Sequence, residues 1–553
     1  MVEYPEFIDN VGNPVETLIG RTDINLKVRI TKRICNKERW VKIVKIVYIP
    51  LDERPCNYFY PSMIASMDKN INFITPAIAQ LGKKKKPADV KELWRWLENE
   101  VQDCDAAILS VEMLVYGGLL YSRIHQMTFD ECKKRVNRIR RLKAINPKLN
   151  LFVSTLVMRT PTYNSNEEEP HYYDKYGEAI FRYGWLCDKK NREGLTSIEA
   201  DELERVCHII PKEFIDDYTR RREINIKVCK EVLTLVKEGV IDFLAIPQDD
   251  SAPYGFTAAD QRVIIEEIES CRLQSRVYIY PGADEVGCTL LARIYTQLLG
   301  KKNLIYVYYS STMGGQIIPK YEDRPLGESI KAHIIAAGAL MTDDVKEADL
   351  ILMVNSPGKL MQESWEQDRK DITYNHYRNL REFVERIKYY LKQHKKCIVA
   401  DVAFSNGGDT ELIDMMAQEQ LLNKLYGYAG WNTACNTLGT VISTGIVGLY
   451  SDVKSKRYEN IVYHLLEDWG YQSLVRQQVV NDLLPELQAS YYNLSGHEEV
   501  IKKVIRQRLV EIWEKFIQSN FDGWSLNLKQ IDIPWHRMFE IYIDISLENS
   551  IDS

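Results

Sequence analysis

Two adjacent aspartates, Asp249 and Asp250, follow Ile246-Pro247-Gln248 and precede Ser251-Ala252-Pro253-Tyr254-Gly255. In an extended segment successive side chains point to opposite sides, so the two carboxylates can sit in different surroundings. They can then acquire different pKa values, which two-carboxylate acid–base catalysis requires. Acids at this place are often helix caps, but the next helical text has its own start at Thr257, with Asp260 three residues on as a near capping box. That frees Asp249 and Asp250 from capping. Their other uses would be a calcium-like oxygen site or a loop hydrogen-bond network.

Further polar motifs follow apolar runs. Leu51-Asp52-Glu53-Arg54-Pro55-Cys56-Asn57 sets two acids, an arginine and an amide beside a stiffening proline, either as ligand contacts or as an internal ion pair with an Asn cap. Glu112 precedes the glycine pair Gly117-Gly118, and Arg159 follows the fourth apolar run. Asp284 and Glu285 stand just before helical text, where capping alone could explain Asp284. Asp401 and Asn406 are candidate ligand contacts, whereas Asp409 reads as a cap. Gly430-Trp431-Asn432-Thr433-Ala434-Cys435-Asn436 offers an aromatic face beside two amides, a combination suited to a sugar's apolar face and hydroxyls, or else a Gly-rich helix start over a buried Trp. Gln248 and Tyr254 complete the set. The arginines of Asp217-Tyr218-Thr219-Arg220-Arg221-Arg222-Glu223 read as a solvated, salt-bridged helix face.

No histidine stands in these motifs or at H-x-x-x-H or H-x-D spacing, and no G-x-S-x-G, Walker A or G-x-G-x-x-G element occurs. The remaining carboxylates, amides and aromatics fit glycosidic-bond cleavage, or a magnesium or manganese site with oxygen ligands.

Ten apolar runs must position these groups: 42–51, 71–76, 105–113, 149–158, 241–248, 276–282, 303–310, 348–355, 396–404 and 426–430. Amphipathic text lies between most of them, so the expected class is α/β with a mainly parallel sheet. Two architectures follow. The first is a (β/α)8 TIM-barrel-like unit with an inserted βα unit around 303–356; the second is two doubly wound lobes around a cleft. Both build their site from the loops after strand carboxyl ends. Residues 42–454 form the expected catalytic unit, with a lid-like excursion at about 160–235 that includes an acidic, Tyr-rich loop. Residues 1–41 read as an extension or added strand, and 455–553 as a mostly helical region for support or oligomerisation.

The 553 residues exceed a usual single core, and 45% hydrophobic with 27% charged residues is an ordinary globular mix. A net charge of -6 gives no electrostatic reason to expect nucleic acid. The eleven cysteines are scattered without a C-x-x-C pair, as expected for reduced thiols in the cytoplasm. Neither a leader-like apolar stretch nor an eighteen-residue uncharged apolar run is present, so no membrane partner is expected.

Ile49-Pro50-Leu51-Asp52-Glu53-Arg54-Pro55-Cys56-Asn57, Gln248-Asp249-Asp250, Tyr321-Glu322-Asp323-Arg324-Pro325 and Gly430-Trp431-Asn432-Thr433 together resemble a bacterial family catalogued as a domain of unknown function, number 4127, over roughly 43–545. The aspartate pair alone also resembles that of the O-GlcNAc hydrolase family of β-N-acetylglucosaminidases, although it follows the fifth strand here rather than the fourth. That likeness implies that Asp249 polarises an acetamido group and Asp250 is the general acid, with Asn406, Asn432 and Asn436 as sugar contacts. The expectation is a cytoplasmic glycosidase of a small, N-acetylated or otherwise substituted sugar, without cofactor or resident metal, and with self-association open. The alternatives are a metal-dependent hydrolase of phosphate or amide bonds using Asp52, Glu53, Asp249, Asp250 and Asp284, and a non-catalytic sugar-binding protein.

Overall fold

Each of the ten apolar runs contains a β-strand in the computed structural model, which describes residues 43–549 apart from 251 and 452. The expectation for 1–41 lies outside the described residues. Strands β1 (Val44–Ile49), β2 (Ile71–Ile74), β3 (Ala106–Ser110), β4 (Asn150–Ser154), β5 (Phe243–Gln248) and β6 (Val277–Pro281) pair in parallel in the order β2-β1-β3-β4-β5-β6. Strands β7 (Leu304–Tyr309), β8 (Leu340–Thr342), β9 (Leu350–Asn355), β10 (Cys397–Asp401) and β11 (Gly427–Ala429) form a second parallel ladder, β11-β10-β9-β7-β8. The fold is thus α/β on parallel sheets, with pairings that run in ladders of six and five strands. Only β8 escapes the apolar-run reading. It is three residues long and partly exposed, too short to show a pattern.

Both faces of the first sheet are covered, which explains why its strands read as continuous apolar runs. Ile46, Tyr48, Ile108, Phe152 and Ala245 join one buried cluster, while the alternating Val47, Ile49, Leu109, Val153 and Leu244 join another. Helices α1 (Pro55–Ser66), α2 (Lys212–Lys237), α3 (Phe256–Ser270), α4 (Val286–Leu299) and α5 (Ala434–Gly448) set up the site. Helix α4 packs against both α1 and α5. Glycines allow the approach: a Cβ on Gly287 would fall 2.3 Å from the Tyr48 hydroxyl, and one on Gly439 would fall 2.0 Å from Glu285 Cγ.

The expected solvated arginine face on α2 is wrong for two of its three arginines. Arg221 and Arg222 are buried: Arg221 pairs with Asp217 on its own helix and donates to the His125 carbonyl (3.0 Å), while the partners of Arg222 come from α3 and from the loop after β4. Arg222 donates to Asp260 (2.7 Å) and to the carbonyls of Met158 (2.7 Å) and Arg159 (2.9 Å), so it braces the loop after β4. The expected capping box of α3 fails for the same reason, since Asp260 is engaged by Arg222. Gly255 stands at the cap, and its N–H donates to Asp188 from the helix Tyr173–Arg192 (3.0 Å). Asp249 and Asp250 nevertheless carry no capping duty. Asp409 does cap, accepting from the Glu411 N–H (3.1 Å).

The C-terminal region is helical over 454–486 and 498–520. It then adds an antiparallel hairpin, β12 (Trp524–Asp532) and β13 (Tyr542–Asn549), which the helical expectation did not include. The hairpin packs back on α1 and the loop before it: Tyr542 stacks on Phe59 at 4.0 Å, and Trp535 in its turn donates to Glu53 (2.7 Å). Among the described residues no helix is long and apolar enough to cross a membrane.

Candidate functional site

The loops after β1, β4, β5 and β6 meet the start of α5 and the hairpin turn around a cavity of about 150 Å³. Of the residues singled out from sequence, Arg54, Arg159, Gln248, Asp249, Asp250, Asp284, Asn432 and Asn436 line it. The acidic loop of the 160–235 excursion supplies Glu167, Glu168 and Glu169, so that excursion does form a wall.

Position by position, the geometry is a web of arginine–carboxylate pairs. The start of α1 turns the Arg54 side chain toward Asp52 (2.9 Å) and Asp284 (2.5 and 3.2 Å), and Asn57 donates to both acids (2.9 and 3.1 Å). Asp284 therefore pairs with an arginine and does not cap α4. Its own N–H donates to Asn436 Oδ1 (3.2 Å). Arg123, from the helix Leu119–Ile124, binds Asp249, Glu168 (3.1 Å) and Glu169 (3.4 Å). Arg159 reaches Glu169 (2.9 Å), Glu168 (2.8 Å) and Asp250 (3.3 Å). Arg537, from the hairpin turn, binds Glu168 and Glu540 (3.2 Å).

The adjacent aspartates face different guanidiniums, though not through the alternation of an extended segment: both lie in a bend after β5, and Asp250 has a positive φ. Their surroundings differ. Burial pushes Asp250 up to about 6; Arg159 opposes the shift and the neighbouring Asp249 adds to it. Glu168 behaves oppositely: burial disfavours its charge, but Arg159, Arg537 and Arg123 hold its carboxyl well below the usual range. Asp250 also has φ 43°, a left-handed conformation that costs a non-glycine residue about 1–3 kcal/mol and collects at functional sites. Tyr321 (φ 68°) and Asn432 (φ 62°) share that conformation on the same cavity.

Several expected contacts lie elsewhere. Glu112 is buried in a small adjoining pocket with Arg123 and Asp249, accepting from the Leu156 N–H (2.8 Å) and Thr155 (3.1 Å). Glu53 faces a neighbouring groove, and burial followed by Asp52 pushes it up to about 7. Glu285 is buried behind Asp284, accepting from the Ala283 N–H (2.9 Å). Tyr254 lies outside the cavity, against Arg192 and Trp185. Trp431 is buried edge-on against Tyr60 and Phe539, leaving no ring face for a sugar. Asn406 donates to Glu363 (2.8 Å), and Asp401 belongs to the end of the second sheet. Among the described residues no group of three His, Cys, Asp or Glu side chains is placed to hold a metal ion. The five carboxylates of the oxygen-ligand alternative are therefore not gathered at one point; Asp52 and Asp284 share Arg54, while Asp249 pairs with Arg123 and Asp250 with Arg159.

Arg123, Glu168, Glu169 and Arg537 were not among the candidate contacts. The sequence signals for them were Ser122-Arg123 beyond the Gly117-Gly118 pair, the acidic Tyr-rich loop, and an arginine in the terminal Ile531-Asp532-Ile533-Pro534-Trp535-His536-Arg537 text.

The family model described as "Protein of unknown function (DUF4127)" matches residues 46–544, so the chain belongs to that family. No curated protein matches it.

Proposed function

We propose that the chain is a glycoside hydrolase acting on a small sugar, with Asp250 as the proton donor and Asp249 as its partner carboxyl. The observation that carries this reading is the Asp249–Asp250 pair itself: adjacent carboxylates on one cavity, held by Arg123 and Arg159 respectively. Asp250, pushed up to about 6, can hold a proton near neutral pH and release it to a departing glycosidic oxygen. Asp249, against a guanidinium, is suited to stabilising positive charge at the anomeric carbon or to orienting a ring substituent. Asn432 and Asn436 offer amides to hydroxyls. In this reading the parallel ladders are two doubly wound lobes, and the protein works in the cytoplasm on small saccharides rather than polymers.

The test is a panel of nitrophenyl glycosides incubated with the full chain, with and without chelator. Turnover of at least one glycoside, undiminished by chelator, is the expected result. Turnover that requires a divalent ion would favour the metal-dependent hydrolase instead.

A further inference from the structure

Charge on the cavity does not balance. Arg54, Arg123, Arg159 and Arg537 are all buried, and each touches at least two carboxylates. The acids they share are Asp52 and Asp284 at Arg54; Glu168 and Glu169 between Arg123 and Arg159; and Asp249, Asp250 and Glu540 at the edges of the web. Seven carboxyl groups surround four guanidiniums, and six carboxylates remain even when Asp250 holds the proton its proposed role requires. No arginine is left over to receive a phosphate, sulfate or carboxylate.

A second observation points to what would restore the balance. Glu169 lines the cavity and is 1% exposed; its Oε1 accepts from Arg159 and Arg123, while its Oε2 has no hydrogen-bond partner. A buried carboxylate oxygen without a donor is costly, more so for a charged group. The complementary ligand group is one that donates only and carries positive charge.

We infer that the cavity receives a protonated primary amine, so that the substrate of the proposed glycosidase is a small amino sugar with its nitrogen free rather than acetylated. An ammonium supplies three donors and no acceptor, matching the oxygen-rich wall around Glu169. Acetylation would remove the charge and bring an acceptor carbonyl next to carboxylates. A hard divalent cation would need several oxygens converging on one point, yet each carboxylate here is already shared with a guanidinium that repels it.

This inference rests on the glycosidase reading for its substrate but not for its binding chemistry, so two measurements separate them. In the first, hydrolysis of 4-nitrophenyl β- and α-glucosaminides is compared with that of the N-acetylglucosaminides and glucosides. In the second, calorimetry and thermal shift are run with glucosamine, N-acetylglucosamine, glucose, Mg²⁺ and Ca²⁺. The expected result is a preference of about 10- to 100-fold in kcat/KM for the free amine, the net worth of a hydrogen bond to a charged group. Glu169→Gln, checked for an intact fold by its melting curve, should shrink that ratio about tenfold, the worth of one charge-assisted hydrogen bond. Hydrolysis that favours acetylated or unsubstituted sugars overturns the amine and keeps the glycosidase. Glucosamine binding over N-acetylglucosamine without hydrolysis of any glycoside keeps the amine site and overturns the glycosidase. Binding of Mg²⁺ or Ca²⁺ in place of glucosamine, or equal indifference to all three sugars, overturns the inference.

Discussion

The two parallel sheets end in acid clusters built from the same residue types, yet the clusters differ in kind. Beyond β10, Asp401 accepts from Asn355 (2.9 Å), from the Asp409 N–H (2.7 Å) and from Tyr428 (3.0 Å). Asp409 accepts from Asn355 (3.1 Å), the Glu411 N–H (3.1 Å) and the buried Arg378. All four carboxylate oxygens of that pair are bonded; Asp401 is buried, and Asp409 borders a separate groove. At the end of the first sheet, acids outnumber arginines, Glu169 keeps an unpartnered oxygen and Asp250 stands in a strained conformation beside open space. Strand-end position and acidity are common to both clusters. Hydrogen-bond completeness separates a staple that closes a core from a site still able to take a ligand.

The sharpest break in that contrast is Asp250→Asn. If Asp250 is the proton donor, this variant loses about 10²- to 10⁴-fold in kcat on unactivated glycosides while its melting temperature stays close to the parent's. Because Asp250 must be protonated to act, kcat/KM for the parent should fall as pH rises through about 6. A pH profile from 4 to 9 checks both statements. Turnover by Asp250→Asn equal to the parent's would remove the distinction between the clusters.

Removing the arginine of the closed cluster should do the reverse. Arg378→Met leaves Asp409 buried without its charge partner and should cost about 3–5 kcal/mol, read by denaturant unfolding, with little change in kcat for the folded fraction. Its pH dependence follows from Asp401, which burial and then Asp409 push up to about 7. A folded-state pKa above the unfolded value of 3.8 means that this group's stabilisation is full below about pH 4 and is lost as pH rises through about 7. Asp250 and Glu53 have the same sign, so Asp401→Asn should flatten part, not all, of the decline in melting temperature between pH 4 and 7.

A smaller effect is expected where helices α4 and α5 touch. Gly439→Ala would press a methyl group onto Glu285 behind the cavity and should cost about 1–3 kcal/mol by overpacking, measured as a lowered unfolding midpoint.

How far either cluster could be read beforehand depended on distance along the chain. Doubly buried parallel strands must be continuously apolar, so ten of the eleven were legible, and the polar residues just after them were legible as a rim. Asp249, Asp250, Arg54, Asp284, Asn432 and Asn436 all reached the cavity for that reason. Glu168 and Glu169 belong to a run of acids that by composition reads as solvated loop; only the arginines brought in by β4 and by the helix Leu119–Ile124 bury them. Arg537 comes from a hairpin turn 369 positions away from the Glu168 it binds, beyond any local pattern. The same blindness misplaced Arg222 and Asp260, each of which has a local role on paper and a long-range partner in the fold. Asp401 and Asp250 could not be told apart from sequence, since what distinguishes them is whether every oxygen finds a donor.

Tyr254 gives the mildest test, because proximity in sequence alone placed it in the site. It stands four residues after Asp250, but the chain turns at Gly255, whose φ of 118° redirects the backbone into α3. The ring comes to rest over Arg192 at 4.7 Å and beside Trp185 at 5.0 Å, away from the cavity. Tyr254→Ala should change stability by less than about 0.5 kcal/mol, as for surface positions, and leave kcat/KM unaltered. A loss of binding in this variant, with Asp250 chemistry intact, would mean that the cavity extends past Gly255 to the helix Tyr173–Arg192. The open cluster would then be larger than the arginine web that now bounds it.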